Sequence, residues 1–226
     1  MILAPPEALF YDVHGRPENK IQVNEPTLVI HSAVEQRFFN EVSPDLTDAA
    51  MQAANHLLNL EHKKLGFLGG PDPDTEPLWF AKRRTGIEKA LTSHGGAPRD
   101  LRYQPCPNAE MAPAALQQLL RSAPDTTGVI CLNDEIAVAT ISGANGMNLR
   151  VPQDLSVVGS NDIRLARFFQ PALTTLAIDV RALVETGLNL LFDEIRQGHR
   201  TTRTNPIKVT QKCQLIVRES TTKPRT

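Results

Sequence analysis

Two apolar runs that each end in an Asn-Asp pair constrain this chain more than any other feature. One covers residues 129–132 and ends in Asn133-Asp134; the other covers 155–159 and ends in Ser160-Asn161-Asp162. Asn133 and Asn161 lie 28 positions apart, close to the ~30 residues of one strand, helix and turn in a parallel βαβ unit. In sheets of that kind ligands bind beyond the carboxyl ends of the strands, so both pairs point at one site.

The same alternation runs along most of the chain. A helix starting at Asp45 or Thr47 carries Ala50, Ala54, Leu57 and Leu58 on one face. Residues 65–68 read as a strand and 69–74, opening with Gly69-Gly70, as a loop. Pro77 suits the first turn of a helix presenting Phe80, Ile87, Ala90 and Leu91, which Gly95-Gly96 stops. A short strand near 102–104 follows, then a helix from Pro113 with Leu116, Leu119 and Leu120. The strand 129–132 leads into a helix over about 135–145 closed by Gly146, and 156–159 forms the next strand. Residues 174–178 look extended. A long amphipathic helix over 180–197 turns Val184, Leu188, Leu191 and Ile195 inward, and strands at 207–209 and 213–217 close the chain. The opening is less regular: 2–4 reads as a strand stub, as though the chain began in mid-strand, 27–30 as a buried strand ending at His31, and the residues from there to Pro44 as loop. Strands alternating with helices predict an α/β fold built on a doubly wound parallel sheet.

Length and composition bound the function. The chain's 226 residues allow one large domain or two small ones, with 41% hydrophobic and 22% charged residues as in ordinary soluble proteins. A formal charge of −1 supplies no basic field to hold nucleic acid as a polyanion, which argues against DNA binding by this chain alone. Cys106, Cys131 and Cys213 are odd in number, widely spaced and without a CxxC, a pattern suited to free thiols in a reducing cytoplasm. Neither a signal peptide nor an apolar run long enough to span a membrane is visible, so the expected location is the cytoplasm.

Collected at the strand ends are Gly69-Gly70, Asn133-Asp134 and Ser160-Asn161-Asp162, with His31 from the first segment, Arg83 on the helix entered from the glycine loop, and Trp79, the only tryptophan. Amides offer donors and acceptors together, carboxylates accept, and a guanidinium is a rigid donor fork, a set that hydrogen-bonds a polyhydroxylated ligand. Each also has a plainer role: Asp134 and Asp162 suit helix caps equally well, Arg83 lies beside Lys82 and Arg84 as part of a solvated face, and Trp79 and His31 fit packing. The glycine loop makes neither GxGxxG nor GxxxxGK[ST]. His56 and His62, six apart, do not share a helix face as a metal pair needs. With no GxSxG and no matched Cys and His, an enzyme reading stays open but unsupported, and the expectation is a binding module, not an enzyme, with no cofactor or metal.

Six segments carry a resemblance. They are His62-Lys63-Lys64-Leu65-Gly66-Phe67-Leu68-Gly69-Gly70; Arg83-Arg84-Thr85-Gly86-Ile87 with Ala90-Leu91; Leu132-Asn133-Asp134-Glu135-Ile136-Ala137; the run from Leu149-Arg150-Val151-Pro152 to Val158-Gly159; Pro171-Ala172-Leu173-Thr174-Thr175; and Val217-Arg218-Glu219-Ser220. In this order, from about residue 45 to 220, the chain resembles the effector-binding region of the lac repressor family of bacterial transcription regulators. That resemblance implies two periplasmic-binding-protein-like lobes crossed three times by the chain, a partial N-lobe from 1–44 and 177–204 and a C-lobe from 45–176 and 205–226. It implies a small effector, often a sugar or nucleobase, in the cleft, a homodimer, and operator DNA bound only through a helix-turn-helix that this sequence does not contain. By position, Arg83 matches the family's ligand-clamping arginine, Asn133 a ligand-contacting residue, Asn161 the usual aspartate, and Trp79 the cleft face of its helix; Asp134 and His31 complete the expected set.

The departures bear on the ligand. Asn161 replaces a carboxylate, His31 stands where aspartate is frequent, and Pro107-Asn108 occupy the place of a common aromatic. Hydrogen bonds to charged groups contribute roughly 1.5–3 kcal/mol against about 1 for neutral ones, so the expected grip on a hydroxyl is weaker or differently directed. The alternative within the same fold is a solute-binding receptor of a sugar transporter, which requires an export signal.

Overall fold

The apolar strands pair as parallel ladders, and the pairing sorts them into two sheets. The computed structural model describes residues 27–30, 39–70, 77–197 and 206–225. Packing divides the chain into two units, with divisions between Asp45 and Leu46, Ile178 and Asp179, and Lys212 and Cys213; Pro77–Trp79 falls with the first unit.

In the first unit, β1 (Leu28–Ile30) and β8 (Lys208–Gln211) flank β2 (Asn40–Pro44) in a parallel sheet. Residues 40–44, which periodicity alone assigns to a loop, are buried throughout despite their polar side chains. Partners compensate: Asn40 Nδ2 donates to Glu194 at 3.0 Å, its Oδ1 accepts from the Ile207 N–H at 2.8 Å, and Glu41 faces Lys208 at 3.9 Å. The helix α5 (Val180–Arg196) covers this sheet, its first turn capped by Asp179, which accepts from the Ala182 N–H at 2.9 Å. Its buried face is Leu183, Gly187, Leu191 and Glu194, which keeps Leu191 of the expected stripe but takes residues one position before Val184, Leu188 and Ile195. The cause is steric and polar together. A Cβ at Gly187 would stand 2.7 Å from Leu28 Cδ2, so the missing side chain makes room for Leu28 against the helix, and Asn40 donates to the Glu194 carboxylate; Ile195 is left 51% exposed. The boundary expected at residue 204 also moves, because Val209 registers with Val42 and keeps the segment in the first unit as far as Lys212.

The second unit holds a six-stranded sheet of β3 (Leu65–Leu68), β4 (Leu101–Gln104), β5 (Gly128–Cys131), β6 (Ser156–Ser160), β7 (Thr174–Ala177) and β9 (Gln214–Ile216), in the order β4-β3-β5-β6-β7-β9. All pairs are parallel except β7 with β9. Helices α1 (Leu46–Asn59), α2 (Leu78–Ser93), α3 (Ala112–Ser122) and α4 (Asp134–Gly146) cover both faces, and the period of two along β3 shows how. Gly66 faces Leu119 of α3, whereas Phe67 stacks on Phe80 of α2 with ring centroids 5.1 Å apart. Leu68, Leu116, Val129, Ile136, Ile141 and Val157 are buried in one cluster between the sheet and α3 and α4; each stabilises the fold by about 1.5–3 kcal/mol. The three cysteines are buried and form no disulfide with one another, and burial pushes the Cys131 thiol up to about 12. Among the described residues no helix is long and apolar enough to cross a membrane.

Candidate functional site

The carboxyl-terminal edge of the six-stranded sheet carries the chemistry. β5 and β6 pair in the register Gly128↔Ser156, Val129↔Val157 and Ile130↔Val158. That offset equals the spacing of Asn133 and Asn161, so the two residues follow neighbouring strands at corresponding positions just beyond the ladder. β3 and β5 pair as Leu65↔Gly128 through Leu68↔Cys131, and the ladder continues with the Leu132 N–H donating to Leu68 O at 2.8 Å. The Gly69-Gly70 turn therefore joins the same edge.

That turn depends on glycine. Gly69 and Gly70 have φ of 146° and 75°, and added Cβ atoms would lie 2.2 Å from Leu132 Cβ and 2.8 Å from the Phe80 ring. Beside it Tyr103, half-buried, meets Phe80 edge to face at 4.6 Å, which lines this end of the edge with an aromatic group that sequence reading did not single out.

Asn133 is the N-cap of α4, where its Oδ1 accepts from the Ile136 N–H at 2.8 Å. Its oxygen is thus spent on the cap, while Nδ2 keeps two donor hydrogens. Asp134 is corrected as a ligand contact: it is fully buried, Oδ1 accepts from the Thr175 hydroxyl at 2.5 Å, and Oδ2 accepts from the Ile163 N–H at 2.8 Å. Burial raises its carboxyl above the usual range, against the pull of these two hydrogen bonds. Asp134 braces the edge from beneath.

Asn161 is exposed and has φ of 111°, followed by Asp162 at 48°. Its N–H donates to Leu176 O at 2.7 Å. Asp162 is engaged by Arg218 at 2.6 Å and by Arg167 at 3.4 Å. Among the described site residues, then, Asn161 alone offers a whole exposed polar side chain at the strand ends of β5 and β6.

Arg83 lies on α2, one turn beyond Phe80, and is half-buried. Burial lowers its guanidinium to about 10, opposed by the nearby Cys213. At neutral pH it remains a cation in a partly dry setting, where its hydrogen bonds count for more than in water. Cys213 precedes Gln214, which registers with Ala177 at the carboxyl end of β7, so Arg83 belongs to the same edge. Trp79 is half-buried in the first turn of α2 and falls with the first unit. His31 lies outside the described residues. Thr175, Gly159 and Arg218 stand in the motifs quoted above, yet only contacts between distant segments show what they do.

The sequence profile of the periplasmic binding protein-like domain matches residues 54–221. Curated relatives include the HTH-type transcriptional repressor PurR of Klebsiella pneumoniae subsp. pneumoniae, 33% identical over 166 residues that make up 70% of this chain and 48% of that protein. The chain spans about half the length of the curated relatives it matches. Among solved structures, a LacI family transcriptional regulator from Enterococcus faecium with bound ribose superposes with a TM-score of 0.75 at 26% identity, covering 88% of this chain and 71% of that one. A LacI family regulator from Mycobacterium smegmatis gives 0.73 at 28% identity, over 88% and 72% of the two chains.

Proposed function

The chain belongs to the periplasmic-binding-protein-like family, as the effector-binding region of a LacI-type transcription regulator, and from that premise we propose that it senses a small polyhydroxylated molecule, a sugar, at the carboxyl edge of its six-stranded sheet. The observation that supports this reading is the β5–β6 register, whose offset equals the spacing of Asn133 and Asn161 beyond the ends of these neighbouring strands. Asn133 donates through Nδ2, Asn161 both donates and accepts, and Arg83 supplies the fork that fixes a pair of oxygens. The ribose held by the Enterococcus faecium neighbour supports a sugar. Trp79 and His31 stay in the proposed contact set on the resemblance alone. Binding, without turnover or cofactor, biases a conformational equilibrium that the longer protein converts into affinity for operator DNA in the cytoplasm, the two packing units acting as its lobes.

A thermal-shift panel of aldoses, ribose first, tests the ligand class, because selective binding to the folded state raises its stability. No shift with any sugar sinks the sugar reading. With a ligand in hand, Arg83→Ala weakens binding by about 1.5–3 kcal/mol, roughly tenfold to a hundredfold by calorimetry. Unchanged affinity removes Arg83 from the site.

The proposed partner is a second copy of the chain. Phe168 and Leu165, on the turn at Arg164–Arg167 and just after it, are 75% and 50% exposed, apolar area of the kind that a two-fold contact covers. Light scattering is expected to give twice the 24.9 kDa chain mass, reduced by Phe168→Asp; a wild-type monomer counts against the dimer.

A further inference from the structure

Two consecutive residues that are not glycine, Asn161 and Asp162, occupy the left-handed region with φ of 111° and 48°. Conformations of this kind are strained for residues with a side chain and persist only where surrounding contacts over-determine them. Here the contacts come from four sides. The Asn161 N–H donates to Leu176 O at 2.7 Å, the Ile163 N–H donates to Asp134 Oδ2 at 2.8 Å, and the two oxygens of Asp162 accept from Arg218 at 2.6 Å and Arg167 at 3.4 Å.

We infer that Arg218 is a positioning residue for the effector site, holding the 161–163 loop through Asp162 so that the Asn161 carboxamide stands ready at the sheet edge. The inference rests on the reading of Asn161 as an effector contact. Arg218 qualifies because its own place is fixed independently of that loop: Nη1 donates to Leu173 O at 2.7 Å and its backbone N–H donates to Thr174 Oγ1 at 2.9 Å. Both members of the Arg218 and Asp162 pair are largely buried, with side chains 14% and 17% exposed, whereas Arg167 is 54% exposed and more distant. Shielded from solvent, the short pair is the stronger one. Arg218 also comes from beyond β9, so it ties the 161–163 loop to the C-terminal segment of the second unit. A site held ready in its bound geometry loses less on binding, which is how a residue without ligand contact raises affinity.

The experiment compares wild type, Arg218→Met and Arg218→Lys by amide hydrogen exchange on 15N-labelled protein, with D-ribose as the ligand probe. In Arg218→Met the Asn161 and Ile163 amides are expected to exchange roughly tenfold faster while Val129 and Ile130 in β5 keep their protection, and Arg218→Lys recovers part of the loss. Affinity for ribose falls by roughly tenfold in Arg218→Met. Unchanged exchange at Asn161 in a folded Arg218→Met overturns the clamp; should that variant unfold, Arg218→Lys supplies the same comparison. Faster exchange at Asn161 with unchanged ribose affinity overturns the positioning role and leaves Arg218 a brace. A wild type that does not bind ribose defeats that effector, while the exchange comparison still decides whether Arg218 holds the loop.

Discussion

At Gly159 an added Cβ would stand 2.2 Å from Asp134 Oδ1 and 2.8 Å from Leu173 Cδ2. The missing side chain on β6 is what lets a fully buried carboxylate lie under the strand and reach Thr175 and the Ile163 N–H. Gly159→Ala sets two effects against each other. Alanine removes backbone freedom from the unfolded chain, a gain of about 0.5–1 kcal/mol, but it overpacks a site where the displaced atom holds two hydrogen bonds. Overpacking alone costs about 1–3 kcal/mol, and loosening the bonds of a buried charged group adds to it, so the clash wins. The expected result is a loss of about 3 kcal/mol in denaturant unfolding, with faster exchange at the Ile163 amide. A variant as stable as wild type would show that Asp134 can step aside without cost.

At the level of elements, most of the second unit was legible because its signals are local. The helices α1 to α4 follow apolar spacing and cap chemistry, and the buried strands β3, β5 and β6 are short apolar runs closed by Gly or Asn-Asp. The Asn133 and Asn161 spacing even anticipated the sheet register, since one βαβ step sets both. What failed was decided by partners remote in sequence. Residues 40–44 look like a loop because Asn40 and Glu41 are polar, and they form a buried strand only because Glu194 and Lys208 come to meet them. The inward face of α5 slipped by one position for the same reason, with Glu194 drawn in by Asn40 and Gly187 fitted against Leu28. Asp134 shows the limit at the site itself: its residue type suits a ligand contact, and only the fold reveals that Thr175 and Ile163 have taken both oxygens.

Across the second unit, the C-terminal segment is tied to the body largely through histidines and hydroxyls. Ser220, fully buried, donates to Val157 O at 2.6 Å and accepts from the Thr174 N–H at 2.8 Å. His56 Nε2 pairs with Thr221 Oγ1 at 2.9 Å. His62 is almost wholly buried, with Nδ1 2.8 Å from Thr127 Oγ1 and Nε2 2.9 Å from Thr222 O. Since a carbonyl only accepts, Nε2 carries a proton, and in the neutral ring Nδ1 accepts from the Thr127 hydroxyl. Burial lowers both histidines below their usual value, opposed in His62 by the Thr222 carbonyl. A lowered histidine is protonated in the unfolded chain before the folded one. Its neutral form supports the fold fully above about pH 6.5, and that support is lost as pH falls through the folded value. Asp134, raised by burial, works in the opposite sense: its ionisation opposes folding as pH rises from about 3.9 upward. The exposed pairs of Lys223 with Glu61 and Arg225 with Asp154 add little. The denaturant midpoint of wild type is therefore expected to drop between about pH 7.5 and about pH 5.5, and His62→Gln, less stable at the upper pH, to show a flatter profile. A wild-type midpoint that stays level across this window, or a His62→Gln profile as steep as wild type, would show that His62 does not set the acid sensitivity of the segment from which Arg218 reaches Asp162.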